Sequence, residues 1–152
     1  MRLMAKITTT VLAASIAGAG VGAVAAPADA ATGSCGAGYR YLKGKNHFPI
    51  KHGKKVGGYA DLYYNAGNGK NCAIVRASGS GASHITVLLA RYDRKNHAPE
   101  KTVTDGFGKN QNFKSYAGPV KIWAKGRCIT VVGSLKRGSV YYQGGATKVH
   151  CG

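Results

Sequence analysis

Glu100 and His97 lie close together beside Arg94 and Lys95, and these residue types suit in-line phosphoryl transfer. A carboxylate or imidazole would take a proton from the attacking hydroxyl while cations hold the phosphate. His47, His52, His84 and His150 are further candidates for the acid or base. A small secreted basic ribonuclease is therefore one reading of the chain. Ala98-Pro99 lies between the two groups and marks an exposed loop, so a solvated basic loop is the simpler reading. Other chemistries lack their patterns. No serine has glycine two positions to each side, and neither G-x-G-x-x-G nor a P-loop occurs. Histidines at helical i, i+4 spacing are missing, and the acids are too few for a calcium cage. No catalytic residue, metal or cofactor is expected.

The cations are grouped more tellingly. Lys43, Lys45, Lys51, Lys54 and Lys55 fall close together, with His47, Phe48 and His52 among them. Arg91, Arg94, Lys95 and Lys101 form a second group, and Lys136-Arg137 a third. Tyr39, Tyr41, Tyr92, Tyr141 and Tyr142 are interleaved with them. Lysine and arginine supply charge and tyrosine supplies stacking faces, the mixture that polyanion-binding surfaces use. Lys43, Lys45, Lys51, Lys54, Lys55, Arg91, Arg94 and Lys95 are the expected anion-binding residues. Trp123 lies between Lys121 and Lys125 on the face opposite Val120 and Ile122. Exposed there, it would offer a platform to a sugar ring. A lone tryptophan in a small β-domain more often belongs to the core, and the core is the expectation.

The compartment follows from the first 30 residues. Arg2 and Lys6 precede an uncharged run rich in Ala, Gly and Thr, which ends at Pro27-Ala28-Asp29-Ala30. A basic start, an apolar middle and an Ala-x-Ala site describe a secretory signal peptide, with residues 31–152 as the mature domain. The competing reading is an uncleaved anchor. No second apolar run follows, so no transmembrane segment is expected in the mature chain. Of 22 Lys and Arg and 5 acids, the leader takes Arg2, Lys6 and Asp29. The remaining 20 cations against 4 acids give the mature chain a net charge of +16. Such a surface attracts polyanions in a salt-dependent way. An oxidising compartment lets Cys35, Cys72, Cys128 and Cys151 pair. Three connectivities are open, and chain order favours Cys35–Cys72 with Cys128–Cys151.

The elements that must position these groups are strands. Helical signals are nearly absent after the leader, while period-two runs recur. Tyr59 to Tyr64 and Cys72 to Val75 flank Asn68-Gly69, a hairpin cue. His84 to Tyr92 sets Ile85, Val87 and Leu89 on one face. The polar segment 93–112 is expected to be the most mobile loop, with a short strand at Lys101 to Thr104. Val120 to Ala124 turns at Lys125-Gly126-Arg127 and returns as Cys128 to Val132. A last pair, Val140 to Tyr142 and Thr147 to Val149, flanks Gly144-Gly145. The expectation is one all-β domain over 31–152, a disulfide-stapled sandwich or barrel of short antiparallel strands.

Four stretches carry a family resemblance: Tyr64-Asn65-Ala66-Gly67-Asn68-Gly69-Lys70-Asn71-Cys72, Ser115-Tyr116-Ala117-Gly118-Pro119-Val120, Ala124-Lys125-Gly126-Arg127-Cys128 and Cys151-Gly152. In this order, with cysteines in matching places, the chain resembles the spore-associated protein A group of streptomycetes. The resemblance implies a small secreted protein found with spores or aerial hyphae, with no established catalytic residues. The lysine-rich stretch from Lys43 to Lys55 departs from that group, whose members are less basic.

Together these features predict a secreted, non-catalytic, monomeric surface protein. It would bind an anionic cell-wall or spore-surface polymer electrostatically, with nucleic acid as a non-specific partner. Besides the ribonuclease, a protease inhibitor or antimicrobial protein is an alternative, acting through an exposed loop at Gly79 to Ser83 or Lys95 to Pro99.

Overall fold

Buried Ile85, Val87 and Leu89 alternate with half-buried Thr86 and Leu88, since strand side chains point to opposite faces in turn. The computed structural model describes residues 33–41, 46–109 and 111–152. The expected leader at 1–30 and the expected anion-binding residues Lys43 and Lys45 lie outside the described residues. Among the described residues nine strands follow in order: β1 (Arg40–Tyr41), β2 (His47–His52), β3 (Lys55–Asn65), β4 (Lys70–Ala77), β5 (Ala82–Tyr92), β6 (Pro99–Asp105), β7 (Tyr116–Trp123), β8 (Ile129–Arg137) and β9 (Val140–Val149). All pair antiparallel in one sheet of order β6-β5-β8-β9-β2-β3-β4-β7, with β1 beside β3. Strand β7 packs against β5 and β6, so the sheet curls almost shut. Of the two architectures expected, the chain adopts the barrel-like one.

The inner face is aliphatic. Ile50, Leu62, Val75, Val87, Leu89, Val131 and Leu135 are fully buried there. Burying each stabilises the fold by about 2 kcal/mol relative to exposure. A smaller cluster outside the barrel holds Cys35, Cys72 and Ile74 under Tyr39, Tyr63 and Tyr116. The bridges are Cys35–Cys72 and Cys128–Cys151, as chain order favoured, with Cα atoms 6.1 and 3.8 Å apart.

Several expectations change. The turn at 125–127 does not make a hairpin, because β7 pairs with β4 while β8 lies between β5 and β9. Closing the barrel requires the chain to cross here rather than fold back. The expected last hairpin is the single strand β9, which runs through Gly144-Gly145. Those glycines exist for close approach. A Cβ at 144 would strike the Pro49 carbonyl of β2, and one at 145 the Val131 carbonyl of β8. Strand β2, hidden in the sequence under its lysines, places Ile50 in the core. The segment 93–112 contains β6 over seven residues. Before it, the loop is tied by His97 N donating to Asp93 Oδ1 at 2.8 Å and Cys128 N donating to Asn96 Oδ1 at 2.9 Å.

Antiparallel pairing sorts the connections into two ends of the barrel. Turns 53–54, 78–81 and 138–139 lie at one end. Turns 66–69, 93–98 and 124–128 lie at the other, with the tail 150–152. Strands of this length and tilt keep the ends roughly 25 Å apart.

Candidate functional site

The two ends carry most of the described cations of these groups, and they differ in how the charge is held. At the first end, β2 turns into β3 through Gly53-Lys54, a two-residue loop with positive φ at its glycine. Lys51, His52, Lys54 and Lys55 are all exposed on it. His52 faces Lys55 across the hairpin, and Lys51 faces both Val56 and, on the other side, Gln143 of β9. His52 Nδ1 donates to the Tyr141 carbonyl at 3.1 Å, which ties the turn to β9. Tyr141 is 63% exposed, with the Lys136 ammonium 5.4 Å from its ring centre. The tyrosine interleaving read from the sequence is thus real at this end, although Tyr142 points inward.

At the second end, Trp123 closes β7 and is 46% exposed. This corrects the expectation of a core tryptophan. Alternation put its side chain opposite Val120 and Ile122, and that geometry outweighs the general preference of tryptophan for burial. Arg94, Lys125, Gly126 and Arg127 line a cleft of about 220 Å³ beside it. Arg91 lies with its guanidinium 5.8 Å from the indole centre and donates to the Trp123 carbonyl at 3.1 Å. Glu100 Oε2 accepts from Arg127 at 2.7 and 2.9 Å and sits 3.3 Å from Arg91 Nη2. So the structure brings Arg91, Arg94 and Trp123 together, while Lys95 is an exposed member of the adjoining loop. Arg127 had read only as a turn residue. Its one sequence signal is adjacency to Cys128, which fixes its backbone.

Glu100 therefore serves as counterion to two guanidiniums. The other acids after residue 30 are also engaged. Asp61 Oδ1 accepts from His47 Nδ1 at 2.6 Å and its Oδ2 from Arg76 at 2.7 Å. Asp93 accepts from the His97 backbone, and Asp105 from Gly106 and Gly118. Arg137 donates to the carbonyls of Gly57, Ser78 and Ser80. Several arginines are thus structural, and among the described residues Lys51, Lys54 and Lys55 enter no ion pair.

The barrel mouth at the second end is a cavity of about 490 Å³ lined by Tyr64, Asn71, Ala124, Lys125 and His150. His150 Nε2 donates to Asn46 Oδ1 at 2.8 Å, and burial holds its pKa below the ordinary histidine value. Among the described residues no helix is long and apolar enough to cross a membrane, and no group of three His, Cys, Asp or Glu could hold a metal ion.

Comparison with known proteins places this barrel. Spore-associated protein A of Streptomyces coelicolor is 31% identical over 144 residues, covering 88% of this chain and 84% of that protein. The chain belongs to the spore-associated protein A family. No family model matches it, and no solved structure does. The name of this relative records an association with spores.

Proposed function

We propose that this family member is a secreted, non-catalytic protein that holds an anionic polymer at a spore or cell surface. The lysine turn of Lys51, Lys54 and Lys55 leads the contact, with Lys136 and Tyr141 beside it. Arg94 and Lys95 add charge at the opposite end. One observation carries this reading: all four acids after residue 30 are engaged by arginine, histidine or backbone N–H groups, so nothing neutralises these lysines locally. Lysine is suited to such a surface, being a hydrated point charge on a flexible stem that adapts to irregular polymers. Export by the leader at 1–30 and action as a monomer belong to the same proposal. The pairing of Glu100 with Arg127 and Arg91 supports the non-catalytic reading over the ribonuclease alternative.

Retention on immobilised heparin at increasing NaCl tests the proposal. The apparent affinity falls steeply with salt. Replacing Lys51, Lys54 and Lys55 together by Gln lowers the log–log salt slope by roughly 2 to 3 and the affinity by at least about tenfold. Retention insensitive to salt, or unchanged in the triple variant, overturns it.

A further inference from the structure

At the Trp123 cleft an exposed indole lies among guanidiniums that a carboxylate fixes in place, which the lysine turn, with its unpaired lysines around Tyr141, does not offer. The indole is held in place. Gly69, with φ +67°, lets it approach the β3–β4 turn, since a Cβ there would lie 3.0 Å from both Trp123 Nε1 and Lys125 Cβ. Arg91 flanks the ring and is fixed by Glu100 and the Trp123 carbonyl. Arg127, its side chain 9% exposed, is fixed by the same carboxylate. Arg94 and Lys125 complete the walls. The four cations Arg91, Arg94, Lys125 and Arg127 surround this ring against the single negative charge of Glu100.

We infer that this cleft is a subsite for one carboxylate-bearing sugar, a uronic acid residue of an acidic polysaccharide. The inference rests on the polyanion reading and deepens it by naming the class of polymer. A sugar presents an apolar C–H face that can lie on an indole, and its carboxylate matches the guanidinium and ammonium groups at the rim. Inorganic phosphate would satisfy the cations and leave the exposed ring unused. A nucleic acid strand would use the ring for a base, but such strands are held by successive aromatics along a groove. Here one indole stands in a closed cluster of charge. The cleft's 220 Å³ is of the size of a single monosaccharide rather than a length of chain.

Trp123 is the only tryptophan in the sequence, so its fluorescence reads this site directly. The purified protein is titrated with a galacturonic acid trimer, a neutral galactose trimer, inorganic phosphate and an oligothymidylate. A saturable change is expected with the uronate trimer and none with the other three at equal concentration. Arg94→Gln and Lys125→Gln, both at the rim, each weaken the uronate response about tenfold, the loss of one charge-assisted hydrogen bond. An equal response to phosphate or oligothymidylate, no saturable response, or full response in both variants overturns the inference. Heparin retention separates the two proposals. Salt-sensitive retention with a silent tryptophan defeats only the uronate subsite, whereas salt-insensitive retention defeats the polyanion reading itself.

Discussion

The two ends of the barrel carry charge of the same sign in opposite ways. At the lysine turn the cations are exposed, local in sequence and without counterions among the described residues. At the tryptophan cleft they come from the strand β5, the loop after it and the crossing before β8, and one carboxylate fixes two of them. Flexible lysines give attraction without geometry, so they suit any polyanion. Guanidiniums locked by Glu100 around an indole give geometry, which discrimination between anions requires. A surface can therefore be adhesive at one end and selective at the other with no change in net charge.

The strongest way to break this comparison is to release the staple at one end. Replacing Cys128 and Cys151 together by Ala frees the tail and the crossing that carries Arg127, at a cost of roughly 3 kcal/mol. Thermal unfolding measures the loss, and Trp123 emission shifts in the folded state. Heparin retention through the lysine turn stays as in the parent. If retention collapses alongside the tryptophan signal while the variant is still folded, the ends are not independent.

Glu100→Gln sharpens the contrast. It leaves Arg127 buried without its counterion and loosens Arg91, costing about 2 kcal/mol, reduced from the value for fully buried pairs because Glu100 is 45% exposed. Denaturant unfolding reads it. Neutralising an exposed lysine such as Lys54 changes stability by less than about 0.5 kcal/mol. Equal costs at the two positions would remove the distinction between fixed and solvated charge.

The smallest effect concerns pH. Burial lowers the His150 pKa in the folded state, so the unfolded chain binds its proton more readily. Stability contributed by neutral His150 is present above the ordinary histidine range and is lost as pH falls through the folded value. Melting temperature therefore drops modestly between pH 7 and pH 5, and His150→Gln removes that part of the decline. Lys125 is the other charged side chain lining this mouth. Identical pH profiles for parent and variant would show that His150 is indifferent to its surroundings.

Parts of this molecule were plain in the chain. Asn68-Gly69 fixed the β3–β4 hairpin because glycine adopts the positive φ that the turn needs. Alternation marked Ile85, Val87 and Leu89 as core, and cysteine order matched the two bridges. Strand β2 was obscured because three of its six residues are Lys or His, which masks the alternation of Phe48 and Ile50. Trp123 was misplaced for another reason: its residue type argued for burial while its position argued for exposure, and position governs in a strand.

What the sequence determined by itself was local: turn chemistry, period-two burial, an even set of cysteines and an excess of cations. These depend on neighbours along the chain, and so can be read from it. Only the tertiary structure decided that β7 joins β4, that β9 runs straight through Gly144-Gly145, and that Glu100 gathers Arg91 and Arg127 beside Trp123. Each of those is a meeting of residues distant in sequence. Closure of the barrel, rather than any local preference, determines which side chains come within reach of one another.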